Sequence, residues 1–396
     1  MDNLLTQSRR LTASVNLYHF RSLHEEIRWD WRLIGIKGAR GVGKTTLLLQ
    51  HLYRLPPTVK GIYLSLDDLH FTQTTLRETV EHLRTTGIAY FFLDEVHKYN
   101  HWSREIKNLY DYYPDIFIVF TGSSIIELNL QEVDLSRRAV MYELPGLSFR
   151  EYLAVTGVIE LPHFNLEDLL NQHESIATDL VLKFRPLAHF QSYLREGIYP
   201  FFLEHKELYH YRLKQVIRLV LETDLTTAER SRVMQVQKIG QLLQILADTV
   251  PFKPNISQLA GKVGLDRNTL VRYLHHLQNA RLIQLLFAEA ANLSVLQKPE
   301  KIYLNNSNLA YALCSNDPDP GNIRETFFYH QLSLRHSLSY SGKADFIVDD
   351  KWTVEIGGKT KGFEQIISAE NGFLALDQIE VGNGKKIPLW LFGLLY

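Results

Sequence analysis

The sequence predicts an α/β protein whose first part is built on a parallel sheet, and three observations carry that reading. Short, almost continuously apolar runs alternate with helical stretches over the first third of the chain, as strands buried on both faces require. A glycine-rich segment, "GIKGARGVGKTTLL", joins the first of these runs to a helix. A later run, "YFFLDE", ends on two carboxylates, at the strand end where ligands gather in open α/β sheets.

The 396 residues suggest two or three domains at roughly 150 residues each. An apolar fraction of 45% and a charged fraction of 22% are those of an ordinary globular chain. Lysine plus arginine (43) balances aspartate plus glutamate (44), which excludes a globally basic nucleic-acid coat or an acidic tail protein but allows a local basic face. The single cysteine excludes an internal disulfide and a thiolate zinc cluster, and fits a reducing compartment. No window of about 18 residues is apolar and uncharged, so no spanning helix and no membrane partner are expected, and a cytoplasmic location is the default.

Along the chain, Leu4, Leu5, Leu11, Val15, Leu17 and Tyr18 recur at helical spacing and predict helix over residues 1–30. "WRLIGIKG", "GIYLSLDD", "IAYFFLDE" and "DIFIVFTGSS" read as strands, with helices between them. Together they form a first domain over 1–147. Residues 148–231 read as a helical connector. Over 232–290 three short helices, with Asn255 as a cap and a turn at Gly264, make a winged helix-turn-helix pattern. Residues 291–396 mix helices and strands into a last domain, where "IPLWLFGLLY" reads as a core or interface strand.

The glycine-rich segment is a full match to the phosphate-binding loop G-x-x-x-x-G-K-[ST] and lies where it must, after a strand and opening a helix. Its glycines let successive N–H groups of Gly38, Ala39, Arg40, Gly41, Val42, Gly43, Lys44, Thr45 and Thr46 converge on phosphate oxygens. The helix N-terminus adds partial positive charge. Lys44 can reach the β- and γ-phosphates and Thr45 offers its hydroxyl to Mg²⁺. ATP and Mg²⁺ are therefore the expected ligands. Asp94 is placed to support the metal and Glu95 to polarise an attacking water. Thr121, Ser123 and Ser124 end the neighbouring strand, where a polar group can sense the nucleotide. Arg137 and Arg138 follow, and an arginine acting in cis or in trans can stabilise a transferring phosphoryl group.

These motifs resemble the bacterial and archaeal P-loop ATPases of the AAA+ group whose ATPase module precedes a C-terminal domain of unknown function. "LPGLSFREYL" resembles that family's Leu-x-Pro-Leu-Ser-Phe-Arg-Glu-Tyr segment, with Gly146 in place of the usual proline. "SRR" resembles its Leu-x-Gly-Arg segment, with Arg137 in place of glycine. The resemblance spans nearly the whole chain. It implies a sensor at Ser123 or Ser124 and an arginine finger at Arg138.

In the helix-turn-helix pattern Ile256, Leu259, Val263, Leu270, Leu274 and Leu277 form the predicted core. Arg267, Asn268 and Arg272 fall near the exposed side of the third helix. They read either as DNA-facing groups or as the solvated face of a packing module.

In the last domain Glu325, Asp345 and Glu355 can converge with Lys359, a set able to bind Mg²⁺ and activate water for phosphodiester cleavage. The resemblance implies a restriction-endonuclease-like fold here. That pattern puts lysine two residues after the last acid, where this chain has Gly357. Lys359 lies roughly 6.6 Å further along the strand, which argues against active nuclease chemistry. Such a domain fits binding or assembly better. His97 and His101, His275 and His276, and Cys314 read as ordinary structural residues.

The sequence thus points to a Mg²⁺-dependent ATPase rearranging the modules behind it. A DNA-processing ATPase and a slow, self-associating assembly switch are the alternatives.

Overall fold

The computed structural model describes residues 1–122, 135, 137–225, 235–249, 254–288, 298–367 and 369–396. The chain divides into two compact units, Met1–Gly146 and Leu147–Tyr396.

The first unit is a five-stranded parallel sheet with helices on its faces. Its strands are β1 (Leu33–Lys37), β2 (Gly61–Ser65), β3 (Tyr90–Asp94), β4 (Phe117–Gly122) and β5 (Val140–Glu143), in the order β2-β3-β4-β1-β5. The four strands read from sequence are all present. The helix expected over 1–30 is instead α1 (Asp2–Ser14) and a single turn, α2 (Leu23–Glu26). Val15 is extended (φ −69°, ψ 138°), and the Asn16 side chain accepts from the Tyr18 N–H at 2.8 Å, a local turn that replaces a continuing helix. The Ser8 hydroxyl on α1 accepts from the Tyr63 N–H of edge strand β2, satisfying an edge amide that would otherwise invite another strand.

The helices between strands are α3 (Lys44–Arg54), α4 (Leu76–Thr85) and α5 (Trp102–Tyr112). The α4 start is a reciprocal capping box between Thr75 and Glu78. Leu76, Val80 and Leu83 from α4 and Ile106 and Leu109 from α5 are buried against Phe91, Leu93, Ile118 and Phe120 of the sheet.

The second unit starts with α6 (Phe149–Val155), whose capping box joins Ser148 and Glu151. Helices α7 (Leu166–Val181), α8 (Pro186–Glu196) and α9 (Tyr209–Leu219) follow. Then come α10 (Val236–Thr249), α11 (Ile256–Val263) and α12 (Arg267–Asn279). Asn255 caps α11 as expected, and Gly264 takes φ +66° to end it. All six predicted core residues of this segment are buried. An antiparallel pair, β6 (Ile283–Leu286) and β7 (Lys301–Leu304), crosses the boundary expected at 290.

After α13 (Ser307–Leu313) and α14 (Pro320–Leu332), a mixed five-stranded sheet runs β12-β11-β10-β9-β8. Its strands are β8 (Leu338–Ser339), β9 (Phe346–Val348), β10 (Trp352–Gly357), β11 (Gly372–Leu376) and β12 (Lys386–Pro388). The apolar tail read as a strand is a buried 3₁₀ helix, Leu389–Leu394, after the short β12. Its residues are apolar on every side, a pattern whose periodicity does not distinguish strand from helix.

Buried polar groups tie distant segments of this unit together. The Asn308 side chain on α13 accepts from the Ile198 N–H (2.9 Å) and the Tyr209 hydroxyl, and donates to the carbonyls of Tyr193 (3.1 Å) and Leu194 (2.8 Å). The Ser148 hydroxyl and the Arg150 guanidinium both donate to the Tyr396 carbonyl, at 2.7 and 3.0 Å. Gly393 packs against Phe149 so closely that a Cβ would fall 2.5 Å from the phenylalanine's own.

Candidate functional site: the phosphate loop and its carboxylate

The loop between β1 and α3 has the backbone its sequence demands. Gly41 (φ +86°) and Gly43 (φ +99°) are left-handed, a conformation open to glycine at little cost. Gly38 is fixed for a different reason: a Cβ there would lie 2.4 Å from the Leu144 carbonyl. Lys44 is buried, and its ammonium donates to the carbonyls of Gly38 (2.9 Å) and Ala39 (3.0 Å), so it lies curled along the loop it serves.

Asp94 ends β3 and is 1% exposed, so its charge depends on donors. It has four. Oδ2 accepts from the Thr45 hydroxyl (2.6 Å) and the Tyr63 hydroxyl (2.9 Å). Oδ1 accepts from the Glu95 N–H (3.0 Å) and the Thr121 hydroxyl. The expected neighbours Thr45 and Asp94 are thus brought together, and Thr121 holds the carboxylate. Tyr63 is a partner that sequence reading missed; burial and Asp94 push its phenol well above the ordinary range. Its only signal was an aromatic hydroxyl on the strand next to β3.

Glu95 sits at φ +53°, which costs a residue with a side chain about 1–2 kcal/mol. Its carboxylate stays a quarter exposed, and Oε2 lies 3.4 Å from Nε2 of the buried His97. That contact gives His97 a place beside the site. Ser123, the expected sensor, lies outside the described residues, as does Ser124.

Arg138 is at the far edge of the sheet. β1 and β5 are parallel with Ile34 opposite Val140, so the turn carrying Arg138 lies beside the start of β1 while the loop follows its end. Five residues separate those edges, roughly 16 Å. The guanidinium grips Asp111 on α5 with two bonds, 2.8 and 3.0 Å.

Residues 30–153 match the family model described as an AAA domain. This segment is a P-loop, AAA+-like domain. Residues 187–320 match a model described as a domain of unknown function (DUF8612), so the ATPase domain is followed by an uncharacterized one. Two uncharacterized proteins of Methanocaldococcus jannaschii are similar to the chain. One is 29% identical over 395 residues, covering 90% of this chain and 83% of its own. The other is 22% identical over 333 residues, covering 79% and 70%. Among solved structures, the Walker-type ATPase of Pyrococcus abyssi aligns with a TM-score of 0.41 and 15% identity over 75% of this chain and 96% of that one. The Thermotoga maritima RuvB Holliday junction branch migration motor aligns with a TM-score of 0.27 and 13% identity over 72% and 89%.

Behind the ATPase domain, Glu325, Asp345 and Glu355 do come together, but around ammonium groups. Lys301 Nζ on β7 lies 2.9 Å from both Glu325 Oε2 and Asp345 Oδ1, and the Tyr303 hydroxyl donates to the same Glu325 oxygen at 2.6 Å. Asp345 Oδ2 accepts from the Ile356 N–H, and Glu355 Oε2 from the Asp345 N–H. Glu355 pairs with Lys361 at 2.6 Å, not with Lys359, which is exposed. The expectation for Lys359 is corrected: the chain turns after Gly357 and folds Lys361 back over it, where a Cβ on Gly357 would meet that of Lys361 at 2.5 Å.

Burial, then Asp345, raises both Glu325 and Glu355 above the usual carboxylate range. Burial alone would lower Lys301, but Glu325 and Asp345 together raise it. An ammonium fills the place a shared cation would need, so these residues do not fit a nuclease metal. Among the described residues no group of three or more His, Cys, Asp or Glu is arranged to hold one.

At α12, Arg267 and Asn268 are exposed at the N-terminus, behind the cap Asp266. Arg272 is half-buried, its guanidinium 5.8 Å from the Tyr273 ring, and does not share their exposure. Among the described residues no helix is long and apolar enough to cross a membrane.

Proposed function

We propose that the chain is a Mg²⁺-dependent ATPase that uses ATP binding and hydrolysis to rearrange the modules behind its ATPase domain. The observation that carries this reading is the 2.6 Å contact between the Thr45 hydroxyl and Asp94 at the mouth of a loop with left-handed Gly41 and Gly43. Such a loop offers inward N–H groups to phosphates, and the hydroxyl–carboxylate pair fits Mg²⁺, which takes few protein ligands beside phosphate and water. Bound there, the metal would neutralise charge on the phosphates. Lys44 would exchange its two loop carbonyls for phosphate oxygens. Tyr63 and Thr121 would keep Asp94 aimed at Thr45. Glu95, partly exposed and beside His97, would orient the attacking water.

Glu95→Gln should bind ATP like the parent and turn it over at least a hundredfold more slowly. Equal turnover would remove Glu95 from this role, and little turnover by the parent would favour the assembly-switch reading. Rearrangement is tested by small-angle scattering with and without a non-hydrolysable ATP analogue; superimposable profiles would sink it. The far-edge position of Arg138 supports an arginine acting on a neighbouring copy's nucleotide. Turnover that rises with protein concentration and falls in Arg138→Ala would fit that role.

DNA is the second reading, favoured by the exposed Arg267 and Asn268 at the start of α12. Fluorescence anisotropy with duplex DNA at two salt concentrations tests it. Absent or salt-insensitive binding would refute it.

A further inference from the structure

Arg21 lies between α1 and α2, outside every motif read from the sequence, yet its buried guanidinium reaches two places at once. Nη1 donates to the Val42 carbonyl inside the phosphate loop at 2.8 Å. Nη2 donates to the carbonyls of Pro145 (2.8 Å) and Gly146 (3.0 Å), the last residues of the first unit. The Val42 carbonyl shares a planar trans peptide with the Gly43 N–H, and in such a peptide the two point in opposite directions. Holding the carbonyl therefore aims the amide.

The same exit segment touches the loop again. The Leu144 N–H donates to the Lys37 carbonyl at 2.8 Å, and the Leu144 carbonyl leaves no room for a side chain at Gly38.

We propose that Arg21 is a positioning residue that aims the Gly43 amide at the nucleotide's phosphates and ties its orientation to the 144–146 segment leading out of the ATPase domain. This rests on the ATP reading above. Filling the loop and moving the exit segment then become one event: a peptide that tilts towards a phosphate pulls on the guanidinium that also holds Pro145 and Gly146.

The test uses the full chain. Titration calorimetry with a Mg²⁺-bound, non-hydrolysable ATP analogue compares the parent with Arg21→Ala, Arg21→Lys and Lys44→Ala. Hydrogen exchange follows peptides covering 38–46 and 142–148. Loss of one aimed donor to a charged phosphate predicts binding weakened roughly tenfold to hundredfold in both Arg21 variants, since lysine's single nitrogen cannot span the acceptors that two guanidinium nitrogens hold. In the parent the analogue should slow exchange in both peptides. In the variants at saturation it should slow exchange only in 38–46.

Unchanged affinity in a variant that melts like the parent would overturn the proposal. So would protection confined to 38–46 in the parent, a readout that needs no variant to fold. If Arg21→Ala loses its cooperative melt, Arg21→Lys carries the comparison. A parent that binds no better than Lys44→Ala removes the ATP reading and this inference with it. That outcome is distinct from a parent that binds while Arg21 is silent.

Discussion

Replacing Lys301 by methionine should destabilise the second unit by about 3–5 kcal/mol at neutral pH. The ammonium makes 2.9 Å contacts to two carboxylates whose side chains are each 15% exposed, while its own is 9% exposed. Methionine keeps much of the stem's volume and removes the charge, so Glu325 and Asp345 would face each other with the Tyr303 hydroxyl and the Ile356 N–H as remaining donors. For a unit of this size the loss corresponds to a fall of roughly 6–20 °C in Tm. Urea unfolding followed by circular dichroism measures it. The pH dependence supplies a second check. Glu325 already lies above its unfolded value of 4.5, so its contribution favours folding below that value and is lost as pH rises through the folded value. Without Lys301 the folded value should climb further, and the deficit should shrink on mild acidification. The double variant with Glu325→Gln should recover part of the loss. A deficit under about 1 kcal/mol, or one independent of pH, would refute the picture of a buried charge network closed by Lys301.

Three further outcomes concern the ATPase domain. Tyr63→Phe removes one donor to Asp94 and should cost about 1.5–3 kcal/mol, with a higher Mg²⁺ requirement for turnover; an unchanged requirement would confine Tyr63 to stability. Gly38→Ala drives a Cβ into the Leu144 carbonyl, so ATP binding should fall at least tenfold, measured by calorimetry. His51, stacked on Trp29 with ring centroids 3.6 Å apart, is lowered to about 3 by burial, then by His24 and Arg54. Because that lies below its unfolded 6.5, its stabilising contribution is present above 6.5 and lost as pH falls towards 3. His51→Phe should flatten that acid-side slope in thermal melts.

What the sequence revealed of the site was what short motifs at the ends of apolar strands carry. Residues 38–46 and the pair Asp94–Glu95 are contiguous, and their chemistry dictates their spacing. Tyr63, Arg21 and Lys301 were illegible because each arrives from another element. Tyr63 stands 31 residues from Asp94, and Lys301 stands 24 and 44 from Glu325 and Asp345. No local periodicity encodes such a meeting. Lys359 and Lys361 differ by the course of one turn after Gly357, a backbone detail that spacing along an idealised strand cannot supply. The α/β order of the first unit was legible because buried parallel strands are apolar throughout. The division of the second unit was less so, since Asn308 and the β6–β7 pair join stretches that read as separate modules.

The contacts of Ser148 and Arg150 with Tyr396 have a consequence for how the protein is made. The first unit has its last strand once Glu143 has emerged, so its sheet can close during synthesis. Helix α6 follows within a few residues and meets Phe190 and Tyr193 of α8 soon after, but its other packing partners lie at 389–396, with 248 residues from Ser148 to Tyr396. At about 5–20 residues per second, the side of that helix that Gly393 and its neighbours cover waits roughly 12–50 s. The second unit is therefore the half whose nascent chain most needs shielding from aggregation.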